Sequence, residues 1–403
     1  MTAGWDGRLD RELARIRDAG RWRVTRDLTT TGPVTGELEG RPVVTFASND
    51  YLGLTHHPRV VAAAHAALDR WGTGSGASRL VVGSRPLHAE LETELADWKD
   101  TEAALLFPTG FAANLGLMTT LGGSDVTILS DELNHASIVD GARLARAAVR
   151  IYRHADLDHL AKLLVEVDSE ARGPALVVTD SVFSMDGDVA DIDGLVELCG
   201  AHDALLVLDE AHAVLGPHVT VADAASRRGV TVVRMGTLSK ALGSLGGFVA
   251  GPRRHVDLLR NLARPFIFTT APAPADVAAG LAALRVVRSD EGRSLVERLS
   301  RHVDRLRPGH PSPVVPVVLG DEDSAMAAAA TLLEAGLLVP AIRPPTVPEG
   351  TSRLRVALSA AHTDDQIDRL AAALDRLAAS PSQPSPPPQP PPPPRGRHGD
   401  QPS

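Results

Sequence analysis

Residues 204–212 read ALLVLDEAH and residues 237–247 read TLSKALGSLGG, and these two stretches decide the fold. In the first, an unbroken apolar run ends in Asp209, with His212 three positions on. Unbroken apolar strands, as opposed to alternating ones, belong to parallel sheets covered on both faces. Ligands of such open sheets sit beyond the carboxyl ends of the strands, so Asp209 and His212 are expected to face a crevice. The second stretch follows the run VTVVRM and carries Thr237, Ser239 and Lys240 to another strand end, with small residues and glycines behind the lysine. A lysine flanked in this way can reach inward without steric competition. Seen alone, the Asp–His pair is also what a satisfied turn looks like, and a single loop lysine is ordinarily solvated.

Outward from these strings the same pattern repeats. Short apolar runs at Ala103–Phe107, Val126–Leu129, Val149–Tyr152, Leu176–Thr179, Leu205–Leu208, Val230–Met235 and Phe248–Ala250 alternate with amphipathic stretches. One such stretch, with Val60, Val61, Ala64, Ala67, Leu68 and Trp71, opens on Pro58, whose locked φ suits a first helical position. This alternation predicts an α/β fold with a mostly parallel central sheet. Leu9, Leu13 and Ile16 predict an N-terminal helix within residues 1–20. After about residue 285 the rhythm changes: Val314–Leu319, a helix around Ala325–Ala335, Leu337–Ile342, Leu354–Leu358 and a closing helix predict a smaller α+β domain. Thr363 and Gln366 give the closing helix a capping box. The chain thus divides into an N-terminal helix and arm (1–50), a large domain (51–285), a small C-terminal domain (286–379) and a tail (380–403). The tail, SPSQPSPPPQPPPPPRGRHGDQPS, has no apolar face to bury and is expected to be disordered.

Bulk properties narrow the function. Of 403 residues, 43% are hydrophobic and 23% charged, which suits a globular protein with a sizeable core. A net charge of −9 argues against nucleic acid as a partner, because that needs clustered Lys and Arg. Cys199 is the only cysteine, so no intrachain disulfide forms and a reducing compartment is expected. Among Leu195, Val196 and Leu198 it reads as core filler. No apolar run reaches the ~20 residues that cross a bilayer, and the opening WDGRLDRELARIRDAGRWR is charged, so a cytoplasmic protein with no membrane partner is expected.

Taken together, Lys240 and Asp209 fit the chemistry of pyridoxal 5'-phosphate (PLP), which needs a lysine for a Schiff base and a carboxylate for the pyridine nitrogen. A buried anion beside that nitrogen keeps it protonated and makes the ring an electron sink. His212 can hydrogen-bond the ring's phenolic oxygen or Asp209. FPTGFAAN (107–114) follows an apolar run and opens a helix, so the amides of Gly110 and Phe111 lie where backbone donors favour a phosphate. Thr237 and Ser239 add hydroxyls. His135, in DELNHASIVDG, either caps a helix or stacks on the pyridine face, and Ser184, in FSMDGD, is a donor to the ring oxygen. No metal site is expected.

The strings SNDYLGL, GSGASR, GFAAN, NHAS, FSMDGD, DEAH, TLSK and IRPPTVPEGTSRLRVALSAAHT, in this order, resemble the α-oxoamine synthases. These are fold-type-I PLP-dependent transferases, related to class I/II aminotransferases, that join an amino acid to an acyl thioester with loss of carbon dioxide. The resemblance runs from about Leu9 to Leu377. The 342–363 segment is similar to that of the biotin-synthesis branch, which implies L-alanine and pimeloyl-CoA or pimeloyl-acyl-carrier protein as substrates. Asn134 in NHAS is commoner in glycine-using relatives, which keeps a glycine C-acetyltransferase open. The resemblance implies that Lys240 holds the cofactor and moves protons, Asp209 grips the pyridinium, His135 stacks, and Ser184 and His212 contact the ring oxygen. It further implies that Gly110, Phe111, Thr237 and Ser239 surround the phosphate and that Arg355, helped by Asn49, pairs with the amino-acid carboxylate. Thr346 and Arg23 match acyl-substrate contacts. Thr270 matches a phosphate contact made across the boundary of a homodimer.

Overall fold

A computed structural model describes residues 4–170, 173–216 and 228–379, so the proline-rich segment 380–403 lies outside the described residues. The chain opens with helix α1 (Trp5–Asp18), then three short strands, β1 (Leu28–Thr30), β2 (Thr35–Leu38) and β3 (Arg41–Thr45). Helices α2 (Pro58–Trp71) and α3 (Pro86–Trp98) each start on a proline, a residue whose missing N–H costs nothing in a first turn.

The alternating core follows: β4 (Ala103–Phe107), α4 (Gly110–Leu121), β5 (Thr127–Asp131), α5 (Ala136–Leu144), β6 (Ala148–Tyr152), α6 (Leu157–Glu170), β7 (Ala175–Asp180), α7 (Ile192–Ala201), β8 (Leu205–Asp209), β9 (Val232–Thr237) and β10 (Gly247–Gly251). Its sheet has the order β4-β10-β9-β8-β7-β5-β6. Neighbours from β9 to β6 are parallel, while β10 runs antiparallel to both β9 and β4. A parallel crossover needs about a dozen residues or more. Only residues 238–246 join β9 to β10, so the chain turns straight back and Thr237 pairs with Gly247. Alternate strand residues serve opposite faces: Leu176 and Val178 pack with α4 and α5, while Ala175 and Val177 pack with α6 and α7.

Helices α8 (Arg253–Leu262), α9 (Arg264–Ile267), α10 (Pro274–Val287) and α11 (Asp290–Leu306) lead to the last part of the chain, with α10 packed on α2. There, β11 (Val314–Gly320), α12 (Glu322–Glu334), β12 (Leu337–Leu338), β13 (Ala341–Ile342), β14 (Ser352–Ala357) and α13 (Asp364–Ala379) complete the fold. The capping box of α13 forms, Thr363 N donating to Gln366 Oε1 and Gln366 N to Thr363 Oγ1. The 337–342 run, expected as one strand, divides between two sheets. Leu337–Leu338 pairs in parallel with Val44–Thr45, whereas Ala341–Ile342 pairs with β14. Pro340 lies between, lacks an N–H to continue a ladder, and gives its carbonyl to the Arg355 amide at 3.0 Å.

Cys199 sits fully buried among Leu160, Leu195 and Leu206, and burial pushes its thiol up to about 12. A thiolate-selective reagent at pH 8 should therefore leave the native protein unlabelled and modify one site after denaturation. Rapid labelling of the folded chain would contradict this packing.

Candidate active site

Four parallel strands end in polar residues at the same edge: Asp131, Asp180, Asp209 and Thr237 close β5, β7, β8 and β9. Asp209 is buried and its charge is fully met by donors. Asn114 Nδ2 donates to its Oδ2 at 2.7 Å, and the Ala211 amide donates to its Oδ1 at 2.9 Å. Asn114, on α4, also donates to Ser137 Oγ at 2.9 Å, and Ser137 Oγ lies 2.7 Å from His135 Nδ1. His135 caps α5, accepting from the Ser137 amide, and its ring remains exposed at the cavity mouth. Helix capping and a role at the mouth are therefore compatible. Desolvation lowers the His135 pKa, Asp209 opposing and Lys240 reinforcing the shift.

A second line of hydrogen bonds starts at Lys240. Its Nζ lies 2.7 Å from His212 Nε2, and His212 Nδ1 lies 2.6 Å from the Tyr51 hydroxyl. Tyr51 donates to Asn49 Oδ1 at 3.1 Å, which also accepts from an Arg355 guanidinium nitrogen at 3.1 Å. Arg355 Nε donates to the Ser184 carbonyl at 2.5 Å. Because Tyr51 spends its proton on Asn49, His212 Nδ1 is the donor to Tyr51, and Nε2 is left to accept from Lys240. That neutral tautomer agrees with the His212 pKa, which lies well below its ordinary value through burial and then the charges of Lys240 and Arg355. Lys240 is likewise lowered, by desolvation above all, although Asp209 and Asp180 pull it up. Asp180 is raised well above the usual carboxylate range by burial and by the charge of Asp209, and its Oδ2 accepts from the His135 amide at 2.9 Å.

The phosphate-type site depends on glycine. A Cβ on Gly247 would lie 2.5 Å from the Thr109 carbonyl and 2.6 Å from Gly110 N, so only glycine lets β10 come this close to the start of α4. Thr109 caps α4 by accepting from the Ala112 amide, while the amides of Gly110 and Phe111 precede any intrahelical acceptor. Thr237 Oγ1 lies 2.7 Å from Ser239 Oγ and close to Gly110. Gly243, at φ +57°, turns the chain after Lys240 where a Cβ would meet Thr55 N at 2.6 Å.

Other expected residues stand apart from this centre. Ser184 contributes its backbone carbonyl and lines, with Thr346, a neighbouring cavity of about 450 Å³. Thr270 is exposed on the chain segment between α9 and α10. Arg23 is exposed without an ion pair among the described residues, whereas Arg21 is tied to Glu322 at 2.7 Å. Asn134 is buried and spent on structure: its Nδ2 donates to Ser130 Oγ and the Val178 carbonyl, and its Oδ1 accepts from the Asp180 amide. Tyr51, Asn114, Ser137 and Asp180 were not singled out from sequence. Tyr51, Asn114 and Ser137 do lie inside the strings SNDYLGL, GFAAN and NHAS, which is the signal that marks them.

Residues 41–374 match the family model described as aminotransferase class I and II. The 8-amino-7-oxononanoate synthase of Anaeromyxobacter dehalogenans is 51% identical over 365 residues, 87% of this chain and 91% of its own length. The synthase of Methylobacterium nodulans is 46% identical over 385 residues, 94% of this chain and 99% of its own. The solved serine palmitoyltransferase of Sphingomonas wittichii superposes with a TM-score of 0.84 at 31% identity, over 94% of this chain and 98% of that one. A serine palmitoyltransferase structure with a PLP internal aldimine matches as well, with a TM-score of 0.84 at 31% identity over 92% of this chain and 98% of that one.

Replacing Asn114 by Ala removes the only side-chain donor to Asp209 among the described residues and leaves a buried carboxylate oxygen unpaired. The ligand-free protein should lose about 1–3 kcal/mol of stability in denaturant unfolding. An unchanged unfolding midpoint would mean that Asp209 is satisfied otherwise.

Proposed function

Because the chain belongs to the aminotransferase class I and II family and is a PLP-dependent acyltransferase similar to 8-amino-7-oxononanoate synthases, we propose that it condenses L-alanine with a pimeloyl thioester. The products are 8-amino-7-oxononanoate, carbon dioxide and free thiol, a step of biotin synthesis, with CoA or acyl-carrier protein as the thiol carrier. The observation that carries this reading is the hydrogen-bonded line from Lys240 through His212, Tyr51 and Asn49 to Arg355. It joins an amine suited to an aldehyde and a guanidinium suited to a carboxylate through one chain of side chains.

The donor set fits PLP. Asp209 would hold the ring nitrogen, Lys240 the aldehyde carbon, and the amides of Gly110 and Phe111 with the hydroxyls of Thr237 and Ser239 the phosphate. When bound, this cofactor supplies an electron sink for the charge left at the amino acid's Cα. Asn114 keeps the Asp209 carboxylate oriented, and burial strengthens its pairing with a cationic ring. His135 would stack on the ring. Lys240 Nζ would take the Cα proton and later return one, and desolvation weakens its hold on its own proton. Arg355, oriented by the Ser184 carbonyl and Asn49, would bind the alanine carboxylate through its guanidinium fork. The neighbouring cavity, with Leu133, Phe183, Met185, Val347 and Thr346 in its wall, suits an acyl chain, and Arg23 is given an acyl contact by the family resemblance alone.

Assembly as a homodimer belongs to the same reading. Leu80, Val81 and Val82 are more than half exposed on the turn beside α9, next to exposed Phe268 and Thr270. A contiguous exposed apolar patch is what a second copy would cover, bringing Thr270 to the other copy's phosphate. Asn134, the residue shared with glycine-using relatives, is hydrogen-bonded to Ser130, Val178 and Asp180, and the assay below separates that glycine C-acetyltransferase alternative from the alanine reading.

Glycine and alanine paired with acetyl, pimeloyl and longer acyl thioesters should release free thiol fastest from alanine with pimeloyl. Fastest release from glycine with acetyl would favour the acetyltransferase, and turnover requiring a 2-oxo acid without thiol release would indicate an aminotransferase. Lys240→Ala should lower kcat by at least about 1000-fold, together with loss of the visible cofactor band. Arg355→Ala should raise the KM for alanine by about 100-fold and leave that for the thioester nearly unchanged.

A further inference from the structure

His154 lies outside the hydrogen-bonded centre described above, in the wall of the neighbouring cavity, and none of the roles assigned so far uses its two ring nitrogens. It follows β6 and stands between two carboxylates, its Nδ1 3.0 Å from Asp131 Oδ1 and its Nε2 2.7 Å from Asp188 Oδ2. The two carboxylates raise its pKa to about 10, Asp131 contributing most, so the imidazolium donates from both nitrogens at neutral pH. Asp131 is buried and also accepts from the amides of Leu133 and Ala155, which makes it a rigid anchor at the end of β5. The edge of the His154 ring rests on Phe183, with centroids 4.4 Å apart and planes at 86°.

Phe183 and Asp188 are the two ends of one loop, closed by the Phe183 amide on the Asp188 carbonyl at 3.0 Å. His154 therefore grips both ends of residues 183–188. The same loop reaches β14 twice: Asp186 pairs with Arg353, and the Ser184 carbonyl accepts from Arg355 Nε. Arg353 and Arg355 are two apart on a strand and share one face. The arginine assigned to the amino-acid carboxylate is thus oriented by a loop whose other side is fastened by His154.

We propose that His154 is a positioning residue for amino-acid binding, acting through Phe183, Asp188 and the Ser184 carbonyl on the fork of Arg355. This rests on the reading that Arg355 takes the amino-acid carboxylate. A supporting shell that fixes a binding group affects affinity for the part of the substrate that group holds, and leaves the rest of the cycle largely intact.

The test uses the holoenzyme. In His154→Ala, the alanine concentration that half-saturates the spectral change of the bound cofactor should rise about tenfold, while kcat at saturating alanine falls less than about threefold. The cofactor band without alanine should stay as in the wild type. Asp188→Asn, which leaves the His154–Asp131 contact intact, should shift alanine binding in the same direction by about threefold. It decides the matter should His154→Ala not fold. The double variant should bind alanine no more weakly than His154→Ala alone, because both remove one contact. Unchanged alanine affinity in a folded single variant, or additive effects in the double variant, would each overturn the proposal. A wild type whose spectrum responds to no small amino acid would instead take down the functional reading, and this inference with it.

Discussion

Burial of the Asp209 carboxylate at the end of β8 is the constraint around which the rest of the site is arranged. A carboxylate removed from water costs several kcal/mol unless hydrogen bonds and a counter-charge replace its hydration. Here Asn114 and the Ala211 amide supply the hydrogen bonds, and Lys240 supplies positive charge within reach of its field. Asp180 beside it is pushed well above the usual carboxylate range by burial and by the charge of Asp209, which eases repulsion between these two neighbours. A buried carboxylate held by neutral donors is the kind of partner that the proposed cationic ring needs.

The position of Lys240 follows from chain length. Too few residues separate β9 from β10 for a crossover, so the chain reverses and β10 enters the sheet antiparallel. This reversal places Lys240 in a tight loop directly above the strand ends, and brings Gly247 against the first turn of α4. One short connection thus supplies the reactive amine and also draws the anion-binding helix terminus towards it. The hydrogen bond from Lys240 to His212 completes the arrangement, because a neutral imidazole accepts from the amine without competing for charge.

Arg355 joins the centre from the far end of the chain. Its strand β14 belongs to a three-stranded antiparallel sheet separate from the one that ends in Asp209. Two arginines on one face of that strand reach across to the loop after β7. The ion pair and carbonyl contact made by this loop tie the two sheets together, and on the proposed reading amino-acid binding depends on that tie.

Local signals in the sequence determined a great deal. Unbroken apolar runs marked the parallel strands, since a strand covered on both faces has no polar side to display. Pro58, the Thr363–Gln366 box and the glycines after Lys240 each encode a backbone preference that acts within a few residues. Asp209, Lys240 and His212 were legible because polar residues stood out where apolar runs stop. Only the tertiary structure decided that Asn114 serves Asp209, that Tyr51 and Asn49 link His212 to Arg355, and that residues 337–342 divide between two sheets. Those outcomes depend on contacts between residues up to 306 positions apart. No periodicity or propensity records such contacts, because they exist only once separate elements have packed and each buried polar atom has found the partner that the fold brings to it.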